Sequence, residues 1–308
     1  MDISTWFFKG QFRNGWDENG NPVYVTSNYD FDIDWGDGSP MEHFDRSMQN
    51  GNANEIPVKH TYLKPGIYRV TLTGDCDNLY GYNGIVSQGA KRSWHLVNCL
   101  WGVVVPKDSF SPLKYGYGSF FGCQTLAHVG YGVFHNIQPC KEVPHLYDGA
   151  VLKRIEPWML YGGDNLENVE YTFENCQMLE VDKDIFKYCN KVTNANHCFH
   201  RCNKLKSIPE GLFDPMPELK SVNMCFQSCT DLVNVPSNLF ELNVKITDFA
   251  YCFCGGRWNG DSAYNAQMAI TDPLPEVWTR TNVTSHRGYA HGCTTAANYA
   301  SIPRSWID

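Results

Sequence analysis

No apolar run in the 308-residue chain approaches the roughly 18 residues that a membrane-crossing helix needs, so insertion into a bilayer is not expected. The first ten residues lack a basic stretch followed by an apolar one, which predicts no secretory signal peptide here. Positive charge is scarce: 25 Lys and Arg stand against 33 Asp and Glu, for a net charge of −8. That balance excludes the basic stripe of a nucleic-acid binder and the polybasic patch that holds a protein to anionic lipid. Heptads are missing too, so no coiled coil drives assembly, although a homo-oligomer is compatible with the sequence. The glycine-rich Tyr115-Gly116-Tyr117-Gly118 is not followed by the Lys-Ser/Thr of a phosphate loop and reads as an irregular aromatic connection.

Aromatic residues and cysteine are plentiful, and both are organised by a repeat. The phrase that begins at Phe199 and runs through Cys202, Leu205, Ile208-Pro209 and Leu212-Phe213 returns at Phe226, Cys229, Leu232, Val235-Pro236 and Leu239-Phe240, 27 residues later. Counting that first Phe as position 1, the apolar positions are 1, 4, 7, 10, 14 and 15. Position 1 falls on Phe120, Leu146, Phe173, Phe199, Phe226 and Phe253. Position 4 falls on Cys123, Gly149, Cys176, Cys202, Cys229 and Gly256. Asp182 breaks position 10, with Val181 beside it. A degenerate copy starts at Leu96 and includes Cys99. After Phe253 the period is interrupted by a segment rich in Gly, Asn and Ala, roughly 257–268, and register resumes at Leu274-Pro275. Ile302-Pro303 near the end echoes the same phrase. A period of this size predicts a solenoid of stacked units, because one unit cannot bury its apolar face alone. Alternating stretches such as 219–224 suit short strands, and Pro209 can open a turn. The expected fold is therefore mainly β with short helices.

The residues spelling Phe-x-x-Cys-x-x-Leu-x-x-Ile-Pro-x-x-Leu-Phe resemble the bacterial surface-protein (BspA-like) class of leucine-rich repeat. That resemblance spans about residues 96–308. It implies a leucine-rich-repeat solenoid of the kind found in bacterial adhesins and phage structural proteins, and it specifies architecture rather than ligand.

Residues 1–78 do not follow the period. Phe31, Ile33 and Trp35 alternate with Asp30, Asp32 and Asp34, which predicts a half-buried strand closed by a turn at Asp37-Gly38. Pro65-Gly66 is a second turn, followed by an alternating strand at Tyr68, Val70 and Leu72. A small β-sandwich is expected. The sequence Trp35-Gly36-Asp37-Gly38-Ser39, followed by His60-Thr61-Tyr62 and Pro65-Gly66-x-Tyr68-x-Val70, resembles the PKD-type immunoglobulin-like domain. In that family the domain acts as a spacer or a weak binding module. The predicted organisation is a PKD-like, Ig-type sandwich over residues 1–78 and a solenoid over 79–308.

The repeat also explains most of the candidate chemistry. His197-Cys198-x-His200-x-Cys202 has the spacing of a four-ligand metal site, but Cys202 is a structural repeat position and Cys198 aligns with Cys225, whose copy has no histidine. Cys252 and Cys254 are read in the same way. The 13 cysteines are odd in number and stacked, which favours buried, reduced thiols. His291-Gly292-Cys293 is the Cys–His pair least bound to the repeat, yet no third orienting group can be named for catalysis. Asp32, Asp34 and Asp37 offer oxygens for calcium; the competing reading is a solvent-facing strand and its turn. Asn282-Val283-Thr284 matches a glycosylation acceptor. No cofactor, metal or catalytic residue is expected.

Aromatics outside the template are the candidate binding surface: Tyr115, Tyr117 and Tyr131 in one early copy, and Trp258 and Tyr264 in the late insertion. Such side chains stack on sugars or anchor protein contacts. The expected function is a non-enzymatic binding or structural protein of a bacteriophage or prophage virion: a tail-fibre, receptor-binding or capsid-decoration component. Its partners would be other virion proteins or host-surface glycan or protein, with assembly in the host cytoplasm. The alternative is an adhesin on a bacterial cell surface.

Overall fold

The structure, a computed structural model, describes residues 2–9, 11–26, 28–45, 55–64, 67–77, 102–103, 114–116, 118–123, 126–177, 180–256 and 266–308. The described chain is mainly β with very few helical residues. Among the described residues seven strands precede residue 78: β1 (Asp2–Lys9), β2 (Gln11–Trp16), β3 (Pro22–Thr26), β4 (Tyr29–Asp34), β5 (Glu42–Asp45), β6 (Glu55–Thr61) and β7 (Thr71–Cys76). They pair antiparallel as β1–β6, β2–β3 and the triplet β5-β4-β7.

Strand β4 alternates as its sequence predicts. Tyr29, Phe31 and Ile33 point into the core, and Asp30 and Asp34 point to solvent. Phe31 pairs across to Phe44 of β5, and the two rings stack at 5.6 Å. The expected second strand starts later than its alternation suggests. Tyr68 and Val70 pack half-buried against the core, but ladder pairing begins at Thr71, opposite Asp34. The expected turn at Asp37-Gly38 follows β4, whereas Pro65-Gly66 lies outside the described residues; side chains flanking the two positions meet in space. Trp35 stacks on His60 at 4.5 Å, and Tyr62 stacks on Tyr68 at 4.1 Å and donates its hydroxyl to the Trp35 carbonyl. Gly36 sits at φ +70°, and a Cβ there would run into the Arg69 carbonyl, so the position requires glycine.

Beyond residue 114 the copies of the repeat are joined by parallel pairing. Glu142, Asn168, Asn194, Ser221, Asp248 and Ser285 form one continuous row of parallel bridges. A second row appears as β8 (Gly102–Val103) with β9 (His128–Val129), β10 (Arg154–Ile155) with β11 (Glu180–Val181), and the bridge Ser207–Asn234. Between these rows every second N–H donates to the next copy. Val169, Tyr171, Phe173 and Asn175 bond the carbonyls of Asn194, Asn196, Cys198 and His200 at 2.8–3.0 Å. One copy later Ala195, His197, Phe199 and Arg201 bond Ser221, Asn223, Cys225 and Gln227 in the same way. From Asn168 onward the bridge residues are Asn, Ser or Asp, and in three of them a local reason is visible. Asn168, Asn194 and Asp248 each accept, through a side-chain oxygen, the N–H two residues on, which fixes the turn into the rung.

The rung geometry demands left-handed backbone at two places per copy, two residues before and two after the position-1 ring. Tyr171 and Asn175, His197 and Arg201, and Met224 and Ser228 occupy them with φ between 54° and 60°. Each such non-glycine residue costs about 1–2 kcal/mol, offset by the rung bonds. Elsewhere glycine fills the same places, as at Gly118, Gly122, Gly149, Gly288 and Gly292.

Position 1 forms a column of rings. Phe120, Tyr147, Phe173, Phe199, Phe226 and Phe253 stack face to face at 5.3–5.7 Å with interplanar angles of 3–16°. Tyr147 corrects the expectation of Leu146. The second copy is one residue shorter between its ring and Leu152, so the ring falls one place later and Ala150 replaces Gly149 at position 4. Phe186, Phe213 and Phe240 stack as a second column. At Asp182 the neighbour Val181 is buried and holds the ladder position, while the Asp182 carboxylate bonds Arg154 and the Asp184 N–H. Leu274 is buried like Ile208 and Val235, as the resumed register predicts. The ring column ends at Trp306 of α1 (Arg304–Ile307), whose indole packs edge-on to Tyr289.

Candidate functional site

The aromatic surface expected from the sequence is present in part. Tyr131 is 53% exposed and stands at one end of a ridge that crosses three copies. Its ring meets Tyr161 at 5.8 Å; Tyr161 stacks on His135 at 5.0 Å and meets Tyr188 edge-on at 4.9 Å. The Lys187 ammonium lies 5.7 Å from the centre of the Tyr188 ring. Buried side chains position this ridge: Val133-Phe134, Met159-Leu160 and Ile185-Phe186 fill the core beside it. Trp158 braces it through an indole hydrogen bond to the Val129 carbonyl at 2.9 Å. Aromatic faces with polar edges, repeated along a row, suit stacking on sugar rings and contact with protein.

Tyr115 lies elsewhere. It packs half-buried against the core, and its N–H bonds the Asp77 carbonyl where the β7 segment meets the repeats. Lys114 holds the same residue through an ion pair to the Asp77 carboxylate at 2.7 Å. Tyr117, Trp258 and Tyr264 lie outside the described residues. Tyr161, Tyr188 and His135 were not singled out from the sequence. The available signal was a tyrosine returning after 27 residues beside the position-15 pair.

The twelve described cysteines are buried thiols, and Cys99 lies outside the described residues. At position 4 the thiol has a structural task. Cys176, Cys202, Cys229 and Cys293 donate to the carbonyls of Tyr147, Phe173, Phe199 and Phe253, each the ring residue of the preceding copy, at 3.0–3.1 Å. Burial pushes these described thiols up where a shift is resolved, to about 12 for Cys123 and Cys140. A thiol so held is protonated at neutral pH and a poor nucleophile.

The structure separates the groups that looked like metal or catalytic sites. Cys198 and Cys202 face the core, whereas His197 stacks on Tyr171 and His200 bonds Glu174. Cys293 donates to Phe253, and His291 turns its Nδ1 toward the Ile307 carbonyl at 3.3 Å. Asp32 pairs with His43, Asp34 accepts from the Gly36 N–H, and Asp37 accepts from Ser39 and lies 2.8 Å from His60 Nε2. The three carboxylates are thus committed to local partners. The Asn282 amide donates to the Val244 and Ile246 carbonyls, so glycan attachment there would disturb the bonds it makes.

No protein-family model matches the chain, and the comparison with curated proteins finds no match.

Proposed function

We propose that this chain is a non-enzymatic binding and structural protein: a leucine-rich-repeat solenoid carried on a PKD-like, Ig-type sandwich and serving as a virion component of a bacteriophage or prophage. The observation that carries the binding role is the ridge of Tyr131, Tyr161 and Tyr188 across consecutive copies. A row of rings at repeat spacing offers successive stacking places to an extended glycan or a protein loop. The thiols support the setting. They act as S–H donors inside the stack, a task that requires the reduced form, and a chain folded in a reducing cytoplasm and released with the particle keeps them so.

The test is binding to host cells. Tyr131→Ala combined with Tyr188→Ala removes the two ends of the ridge and leaves the ring columns intact. Cell binding is expected to fall at least tenfold in this variant. Undiminished binding would remove the ridge as the contact surface.

A further inference from the structure

Two neighbouring columns of the repeat carry an arrangement the sequence did not reveal. The residue just after the ring is Asp148, Glu174 and His200 in three consecutive copies; in flanking copies it is Phe121, Gln227 and Cys254. The left-handed place two residues before the ring is His145, Tyr171 and His197 in those copies, and the three rings stack at 4.5–4.7 Å. Rungs set one copy above the next, so two carboxylates stand over one another with imidazoles alongside. His145 Nδ1 lies 2.9 Å from Asp148 Oδ2, and ligand atoms of His145, Asp148 and Glu174 all lie within 4.8 Å of each other. His200 Nδ1 lies 2.8 Å from Glu174 Oε1 and 3.4 Å from His197 Nδ1.

Both carboxylates of this cluster are largely buried. The Asp148 and Glu174 side chains are only 8% and 13% exposed. Among the described residues no lysine or arginine pairs with either. Asp148 Oδ1 accepts from the Asn175 amide at 3.1 Å, a neutral partner. His200, at the edge of the pair, keeps its Nε2 buried without a hydrogen-bond partner among the described residues. Two largely buried carboxylates on adjacent copies, with an imidazole nitrogen in reach and no Lys or Arg paired to them among the described residues, form a donor set that a cation completes.

We propose that His145, Asp148 and Glu174 bind a divalent transition ion of the Zn²⁺ class, with His200 as the outer partner that orients Glu174. Imidazole with carboxylate is the donor set of such ions. Ligands bonded at about 2.0–2.2 Å lie about 2.9–3.4 Å apart for angles of 90–109°, and the His145–Asp148 separation falls at the short end of that range. Histidine hydrogen-bonded to a ligating carboxylate is a recurrent outer-shell arrangement. The ion would tie the copy built on Tyr147 to the copy built on Phe173. Water would complete its coordination on the solvent side of His145, which is 36% exposed. This column lies apart from the tyrosine ridge, so the two proposals fail independently.

The test titrates chelator-stripped full-length chain with Co²⁺, read by its visible absorption, and with Zn²⁺, read by calorimetry and by the thermal midpoint. Uptake of one ion per chain and a higher midpoint are expected. Asp148→Asn with Glu174→Gln should weaken affinity more than tenfold while circular dichroism is unchanged. His145→Asn, a residue that tolerates the left-handed backbone, gives a second variant should the first fail to fold, and the same loss is expected. The exposed His43, which lies near Asp30, Asp32 and Asp45, supplies the control, since His43→Ala should leave uptake intact. Absent stoichiometric uptake, uptake that survives His145→Asn, or uptake that disappears with His43→Ala would each overturn the proposal.

Discussion

Replacing Phe199 with alanine tests the ring column most severely. Phe199 is fully buried and sits face to face with Phe173 at 5.5 Å and Phe226 at 5.3 Å. Phe186 meets it edge-on at 6.1 Å. Truncation removes the transfer energy of a buried ring and leaves a cavity that the fixed rungs above and below cannot close. The expected loss is about 3–5 kcal/mol. Phe199→Leu keeps most of the volume and should lose under about 1.5 kcal/mol. In urea, with a slope of about 2 kcal/mol per molar, the alanine variant should unfold roughly 2 M earlier than wild type. The damage should also be local, because each copy contacts only its neighbours. Hydrogen exchange should therefore speed up at Phe173, Phe199 and Phe226, whose N–H groups donate along the column, and stay unchanged in β4 and β7. A loss below about 1 kcal/mol, or exchange that rises equally in β4, would refute the nearest-neighbour reasoning.

Three further outcomes follow from the same geometry. Arg13 reaches from β2 to Glu142, the first residue of the long bridge row, at 2.6 Å, and the Glu142 carboxylate is 1% exposed; Arg13→Met should destabilise the chain by about 3–5 kcal/mol, since removing one partner leaves a buried carboxylate uncompensated, and an unchanged urea midpoint would contradict this. Asp37 has its pKa lowered, first by the Ser39 hydroxyl and then by His60, so its contribution is complete above the unfolded value of about 3.9 and is lost as pH falls below it; Asp37→Asn should flatten the acid limb of the stability curve for β4, β5 and β7, and an identical limb in the variant would count against the assignment. The described thiols should resist iodoacetamide at neutral pH in the folded chain and react after denaturation; rapid labelling of one buried cysteine in the native state would point instead to an activated nucleophile.

Much of the repeat could be read from residue types because its core positions tolerate few of them. Position 1 needs a ring and position 4 a small side chain, and the thiol adds a bond to the preceding ring residue. The second copy was misplaced by one residue because Leu146 and Tyr147 are both apolar and both fully buried, and only the stacking of Tyr147 on Phe120 and Phe173 distinguishes them. The left-handed places were invisible for a different reason. Tyr171, His197, Met224 and Arg201 carry no local signal for positive φ; the rung bonds impose it. The same rungs bring Asp148 over Glu174, residues 26 positions apart whose proximity depends on the copy register. The Trp35, Asp37, His60 and Tyr62 group was legible as a motif, and the structure supplies its contacts: one stack, one imidazole–carboxylate hydrogen bond and one hydroxyl bond to a carbonyl. Tyr161 and Tyr188 lie inside regular copies, just after the buried pairs Met159-Leu160 and Ile185-Phe186, so residue type alone does not separate them from the core.

The central claim is that this chain serves in a virion as a binding and structural component. The most direct measurement is mass spectrometry of purified particles, with labelled antibody imaging to locate the chain on them. The account predicts peptides from both 1–78 and 79–308 in fixed stoichiometry with the other particle proteins, and label on an outer surface. Particles that form and infect without the chain, together with its recovery from the bacterial cell surface, would contradict the claim and favour the adhesin.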